Sequence, residues 1–257
     1  MADEVLYTIS EVRNEEDLNN RDLGMASTIN IEYEAIPTFE EIRTKLIPLV
    51  KTDAWFKSIK DHLQKANAAT QSVFYKPLNN ISRIEYGFTV AILCGGDQYH
   101  YVLNSYLADW HISSLTLVQI AEANFRKRLI EGGKTWQTSQ TGIRFMQGLG
   151  PLAASVILLP DLIESLGGRQ GDFVACLAAG ELCMIGDSQN VKQICVMSEI
   201  ALKFVTKASF LSMQPLRLLN KEWKIYEANK ANDEYPFPQS GDEVKILKRA
   251  LKMQGKI

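Results

Sequence analysis

Residues 82–128 read SRIEYGFTVAILCGGDQYHYVLNSYLADWHISSLTLVQIAEANFRKR, and the order of their residue types decides the fold class. Ile84–Cys94 has the β-branched and aromatic composition of a strand. Gly95-Gly96-Asp97 supplies residues that accept the positive φ angles of a hairpin turn, and Tyr99–Leu103 returns. Ser113 or Ser114 then caps a helix that carries Leu117, Ile120, Ala121, Phe125 and Leu129. Arg126, Lys127 and Arg128 complement the negative end of its dipole, and Gly132-Gly133 stops it.

Working outward, the same order recurs. Asp172–Leu177, a turn at Ala179-Gly180 and Leu182–Ile185 precede a helix that Asp187 or Ser188 caps and that runs to about Lys207. The two copies share architecture without sharing residues. Hairpins alternating with helices predict an α+β fold, an antiparallel sheet built from hairpin-helix units with helices packed on one face. Thr38 and Glu41 form a capping box ahead of Phe39, Ile42, Leu46, Ile47 and Val50, a helix that Pro48 ends or kinks. A second helix starts near Asp53, with Trp55, Phe56, Ile59 and Leu63 on one face. Ile143–Met146 reads as a short strand, Leu152–Leu166 as a helix in preference to a strand over Ser155–Leu159, and Pro215–Tyr226 as one strand. Ser240 and Glu243 form another capping box that opens a last helix. The expected organisation is an acidic N-terminal extension over 1–30, an α+β domain over 31–228 and an amphipathic helix over 239–257.

The chain of 257 residues is 46% hydrophobic and 23% charged, enough apolar material for a substantial core. A formal net charge of −2 offers no global attraction for nucleic acid. Cys94, Cys176, Cys183 and Cys195 form no Cys-x-x-Cys pair and sit among apolar residues, so they read as reduced and buried, which fits a cytoplasmic location. Three dispersed histidines exclude zinc spacing, and no cofactor motif is present. The start, MADEVLYTISEVRNEEDL, lacks the basic and apolar regions of a signal peptide, and no apolar run reaches the ~18 residues of a membrane span.

Part of the chain resembles a bacterial family that carries a placeholder name, domain of unknown function 1444. The similar stretches are Ala108-Asp109-Trp110-His111-Ile112-Ser113 with Ala121-Glu122-Ala123-Asn124-Phe125, then Ala154-Ser155-Val156-Ile157-Leu158-Leu159-Pro160-Asp161, then Gly171-Asp172-Phe173-Val174 through Gly186-Asp187-Ser188. They fall within about residues 80–226. The resemblance implies a cytoplasmic α+β domain and no established activity. Where the family carries a polar turn in its last hairpin, this chain has Ala178-Ala179-Gly180-Glu181.

Asp97 and His100 across a turn, with Trp110 downstream, form the one polar-aromatic group suited to acid–base work or to stacking on a planar ligand. Turn chemistry and helix anchoring account for the same three residues. Gly167-Gly168-Arg169-Gln170-Gly171 follows a helix and precedes a strand, the reverse of a phosphate loop. Lys245, Lys248, Arg249, Lys252 and Lys256 lie along one stripe of the last helix, suited to an anionic membrane surface, to nucleic acid, or to plain solvation. Three functions follow as expectations. The foremost is a non-catalytic cytoplasmic protein-interaction module, an adaptor or immunity-type binder with an unidentified protein partner or a second copy of itself. Its contacts would come from Trp55, Tyr75, Trp110, Trp136 and Trp223. The others are an enzyme or small-ligand binder at Asp97, His100 and Trp110, and a nucleic-acid or membrane-surface binder using the basic helix.

Overall fold

The computed structural model describes residues 8–12, 28–32, 37–66, 68, 71–78, 86–95, 98–146, 148–205, 210–212 and 214–226. The chain divides into two compact units, 1–133 and 134–257. All strand pairing among the described residues is antiparallel, in two open sheets with helices against them, which makes the fold α+β.

The first unit holds β1 (Thr8–Val12), β2 (Thr28–Glu32), α1 (Phe39–Ile42), β3 (Leu46–Thr52), α2 (Asp53–Lys65), β4 (Lys76–Pro77), β5 (Tyr86–Gly95), β6 (Gln98–Tyr101), α3 (Asn104–Asp109) and α4 (Ser114–Glu131). The sheet runs β2-β1-β6-β5-β3, and β4 pairs with β5 beside β6. Part of the acidic N-terminal segment therefore joins the sheet, with Ser10 opposite His100 and Glu11 opposite Tyr99. Ser113 caps α4 by accepting from Thr116 N–H at 3.0 Å. Leu117, Ala121, Phe125 and Leu129 of α4 are buried, and α4 packs on β3 and β5. Asn124 secures that packing by donating to the Arg43 and Leu46 carbonyls at 2.7 and 3.0 Å.

One helix expected from sequence is mostly strand. The Thr38 capping box forms, with Glu41 accepting from the Thr38 N–H at 2.8 Å, but α1 ends after one turn. Leu46–Val50 then pair with β5 and are all buried. An apolar run bounded by Pro fits either period, and here tertiary pairing won. Pro48 stands opposite Val90 on an edge strand, a place where a missing N–H costs no ladder bond. The helix expected near Asp53 starts there as α2, capped by Thr52, and Ile59 and Leu63 are buried on it.

The second unit holds β7 (Trp136–Thr138), β8 (Arg144–Met146), a 3-10 segment (Gly150–Leu158), α5 (Pro160–Glu164), β9 (Phe173–Ala179), β10 (Leu182–Asp187), α6 (Val191–Leu202), β11 (Leu216–Leu219) and β12 (Glu222–Ile225), with sheet order β12-β11-β9-β10-β8-β7. Val174, Cys176 and Ala178 form one cluster with Ile194, Met197 and Ala201 of α6. Strand alternation turns Phe173, Ala175 and Leu177 the other way. They are equally buried, and the 3-10 segment lies against β9 and β10. A sheet covered on both faces explains why β9 reads as unbroken apolar sequence.

Three sequence expectations change in this unit. Leu152–Leu166 is not one helix. The Ala154 N–H donates out of the segment to the Gly180 carbonyl at 2.9 Å, and a break at Leu159 separates the 3-10 turns from α5. Pro215–Tyr226 is a hairpin rather than one strand, its turn made by Asn220 and Lys221 at φ 52° and 65°. Asn190, not Asp187 or Ser188, caps α6, accepting from Gln193 N–H at 3.1 Å. The expected helix over 239–257 lies outside the described residues.

Candidate functional site

Asp97, His100 and Trp110 are the residues singled out around the first hairpin. Asp97 lies outside the described residues. His100 is half-buried on β6, opposite Ile92 and Ser10. Trp110 is 9% exposed and serves the core. Its indole N–H donates to the Pro37 carbonyl at 3.0 Å, and its ring packs at 5.8 Å from Phe39 and 5.3 Å from Tyr106. An indole with both its face and its donor used has the anchoring role of a core tryptophan. The basic stripe of Lys245, Lys248, Arg249, Lys252 and Lys256 lies outside the described residues.

Polar groups converge instead in the second unit, where the loop 167–172 meets the end of β10. Gly167 and Gly168 follow α5 with φ of 59° and 63°, which turns the chain back toward β9. Asp187 then fastens the loop. One of its oxygens accepts from Gln170 N–H at 2.6 Å, the other from Gly171 N–H at 3.0 Å and Gln189 N–H at 2.9 Å. Burial pushes this carboxyl up, but the three N–H donors and nearby Arg169 outweigh it and hold it below its ordinary value. Gly171 is required here, because a Cβ would strike Ser188 Oγ, Gln189 Cγ and Asp187 Oδ1. Ser188 completes the fastening. Its N–H donates to the Asp172 carbonyl at 2.8 Å and its Oγ accepts from Asp172 N–H at 2.9 Å.

Side chains from distant parts of the unit complete the walls. Arg144 on β8 donates to the Gly167 carbonyl at 2.8 Å. The Arg169 guanidinium lies 4.3 Å over the Phe173 ring. Gln193 of α6 accepts from Asp187 N–H at 2.9 Å and donates to the Thr141 carbonyl at 2.9 Å. These groups border a cleft of about 230 Å³. A second cleft of about 380 Å³ shares Gln170 and runs past Asp172, Ser188, Arg217 and Tyr226. There Arg217 of β11 donates through Nε (2.8 Å) and Nη2 to one Asp172 oxygen, and the Tyr226 hydroxyl donates to the Ser188 carbonyl at 3.2 Å.

Of the titratable and nucleophilic groups nearest the two clefts, the Asp187 carboxylate and the Ser188 hydroxyl are engaged with backbone N–H groups. His62, His100 and His111 all belong to the first unit. Cys176 and Cys183 are buried thiols: burial pushes Cys176 up to about 12, and burial with the neighbouring Cys176 pushes Cys183 up further, so neither is a nucleophile. Cys94 is exposed and Cys195 half-buried, so the expectation that all four cysteines are buried holds for two. Among the described residues no three His, Cys, Asp or Glu side chains cluster to hold a metal ion, and no helix is long and apolar enough to cross a membrane.

Sequence reading reached the Gly167–Gly171 run but not this cleft. Its parts come from positions 142–144, 167–173, 186–193, 217 and 226, and no linear spacing connects them. The one available signal was Asp172 and Asp187 at the outer ends of a hairpin, which register places side by side through the Phe173–Asp187 pair. No family model, no curated protein and no solved structure matches this chain.

Proposed function

We propose that this chain is a non-catalytic binding protein whose recognition site is the polar cleft at the Asp187-fastened loop of the second unit. One observation carries the reading. Polar groups from four separate elements face an open volume, while the carboxylate and hydroxyl best placed for chemistry are already tied to backbone. Binding sites place few polar groups on a rigid frame, and a loop secured by four hydrogen bonds to residues 187 and 188 is such a frame. Four free cysteines support a cytoplasmic location as part of the same proposal.

The test is a binding screen read residue by residue. Amide spectra of the labelled chain, recorded with small polar compounds, are expected to shift at Gly168, Gln170 and Asn190. Turnover of any compound that Ser188→Ala or Asp187→Asn abolishes would overturn the non-catalytic reading. Shifts confined to the first unit would move the site elsewhere.

A protein-interaction role through aromatic side chains is a second reading, with a narrower basis than composition suggests. Trp110 and Trp223 are core residues, the latter donating its N–H to the Ile157 carbonyl at 2.8 Å. Tyr75 remains 41% exposed, 4.4 Å from the Phe56 ring, with its hydroxyl donating to Asp53 at 3.1 Å. Partial burial and that carboxylate push its hydroxyl up to about 12, so it stays a neutral donor. Loss of partner capture in Tyr75→Ala, with the fold intact, is the expected result if this surface is used. Unchanged capture would exclude it.

A further inference from the structure

We propose that the cleft between Arg144 and Arg169 takes a single oxyanionic group, a phosphate or a carboxylate; this rests on the binding reading above and gives its ligand a chemical class.

The balance of charge around the cleft supports this. Two guanidinium groups border it, against one carboxylate, Asp187. Both oxygens of that carboxylate already accept backbone N–H groups and point into the loop they fasten. Its charge is thus largely absorbed, while the guanidinium groups keep donors to spare. Arg144 gives the Gly167 carbonyl one hydrogen bond, and a guanidinium has five N–H donors. Arg169 has its guanidinium carbon 4.3 Å over the Phe173 ring, a cation–π contact that holds it at the cleft. Planar forks held this way match the paired oxygens of carboxylate and phosphate.

Size and geometry narrow the ligand further. A volume of about 230 Å³ lies below the roughly 300–1,000 Å³ usual for whole small molecules. The cleft thus admits one charged group and leaves the remainder of its carrier outside. Gln193, only 8% exposed, has both ends of its amide engaged, so it braces the floor and does not compete for the ligand. Gly168 at φ 63° lies so close to Arg144 that a Cβ there would stand 3.0 Å from Nη2, and its lack of one keeps that guanidinium in reach of the cleft.

The experiment titrates the full chain with inorganic phosphate and acetate, with acetamide as the neutral control, following amide shifts of Gly168, Gln170 and Asn190. Phosphate or acetate is expected to bind saturably at these residues. Arg169→Gln changes an exposed side chain, so the fold is expected to survive, and binding is expected to weaken about tenfold. Lys127→Gln, on α4 of the first unit, is expected to leave binding unchanged. A phosphoserine tripeptide as a second arm separates the carriers: tighter binding than phosphate places the anion on a polypeptide, equal binding on a small molecule. Acetamide binding as well as acetate would overturn the anion assignment and leave the cleft as a binding site. Equal loss in Lys127→Gln would reduce the effect to diffuse charge and overturn it too. No shift at these residues with any probe would overturn both the assignment and the reading on which it rests.

Discussion

Each unit contains a hairpin followed by a helix, and the two use their polar residues differently. In the first, β5 and β6 lead through α3 to α4, and the residue that starts the helix works locally: Ser113 accepts from an N–H three positions on. In the second, β9 and β10 lead to α6, and the polar residues at the hairpin's end reach far along the chain. Asp187 binds N–H groups 16 and 17 positions back, and Arg217 reaches Asp172 across 45. Local bonds end a helix and leave nothing over. Long-range bonds fix a loop in space and set side chains around an opening. The same succession of elements yields scaffold in one unit and a candidate site in the other.

The largest effects should come from what the two copies share, a helix packed on a sheet. Phe125→Ala in α4 and Met197→Ala in α6 remove fully buried side chains, expected to cost about 3–5 and about 2–5 kcal/mol in chemical denaturation. A cost under about 1 kcal/mol at either position would show that its helix is not integral to the core.

Asp187→Ala is expected next, at about 1–3 kcal/mol, because three N–H groups lose a charged acceptor that is partly screened by solvent. The informative readout is hydrogen exchange. Protection should fall at Gln170, Gly171 and Gln189 and persist in α6, which Asn190 caps independently. Loss of protection throughout α6 would mean that Asp187 caps the helix after all.

The same residue predicts a pH dependence of definite sign. The native Asp187 carboxyl lies below its ordinary 3.8, so its contribution is fully present above that value. It is lost as pH falls through the lowered native value. Melting curves between about pH 5 and pH 2 should therefore fall more steeply for the wild type than for Asp187→Asn. Parallel curves would remove the carboxylate from the account of the loop.

The smallest effect belongs to the local copy. Ser113→Ala removes one cap bond and is expected to cost about 1 kcal/mol, with exchange increased only in the first turn of α4. Any change in the cleft residues of the second unit would contradict a purely local role.

Much of the fold was legible because local chemistry dictated it. Ser113 and Thr52 cap helices whose apolar spacing was clear, and Gly133 at φ 57° closes α4 where two glycines stand. Leu46–Val50 was misread because an apolar run with Pro48 inside satisfies a helix or an edge strand equally, and only pairing with β5 chooses. The hairpin at Asn220-Lys221 was missed because its turn sets a lysine at φ 65°, a conformation its residue type does not announce. The cleft was illegible for a different reason. Asp172, Asp187 and Arg217 are ordinary charged residues in sequence, and their meaning lies in partners 16 to 45 positions away.

By itself the sequence determined the α+β class, the starts of α1, α2 and α4, the glycine stop of α4, and the hairpins at 95–98 and 179–182. These depend on backbone preferences that act within a turn or two of chain. The tertiary structure alone decided that β9 is covered on both faces and that three arginines and two aspartates meet at one end of a sheet. Those outcomes depend on strand register and layer packing, which bring together residues that no local preference relates.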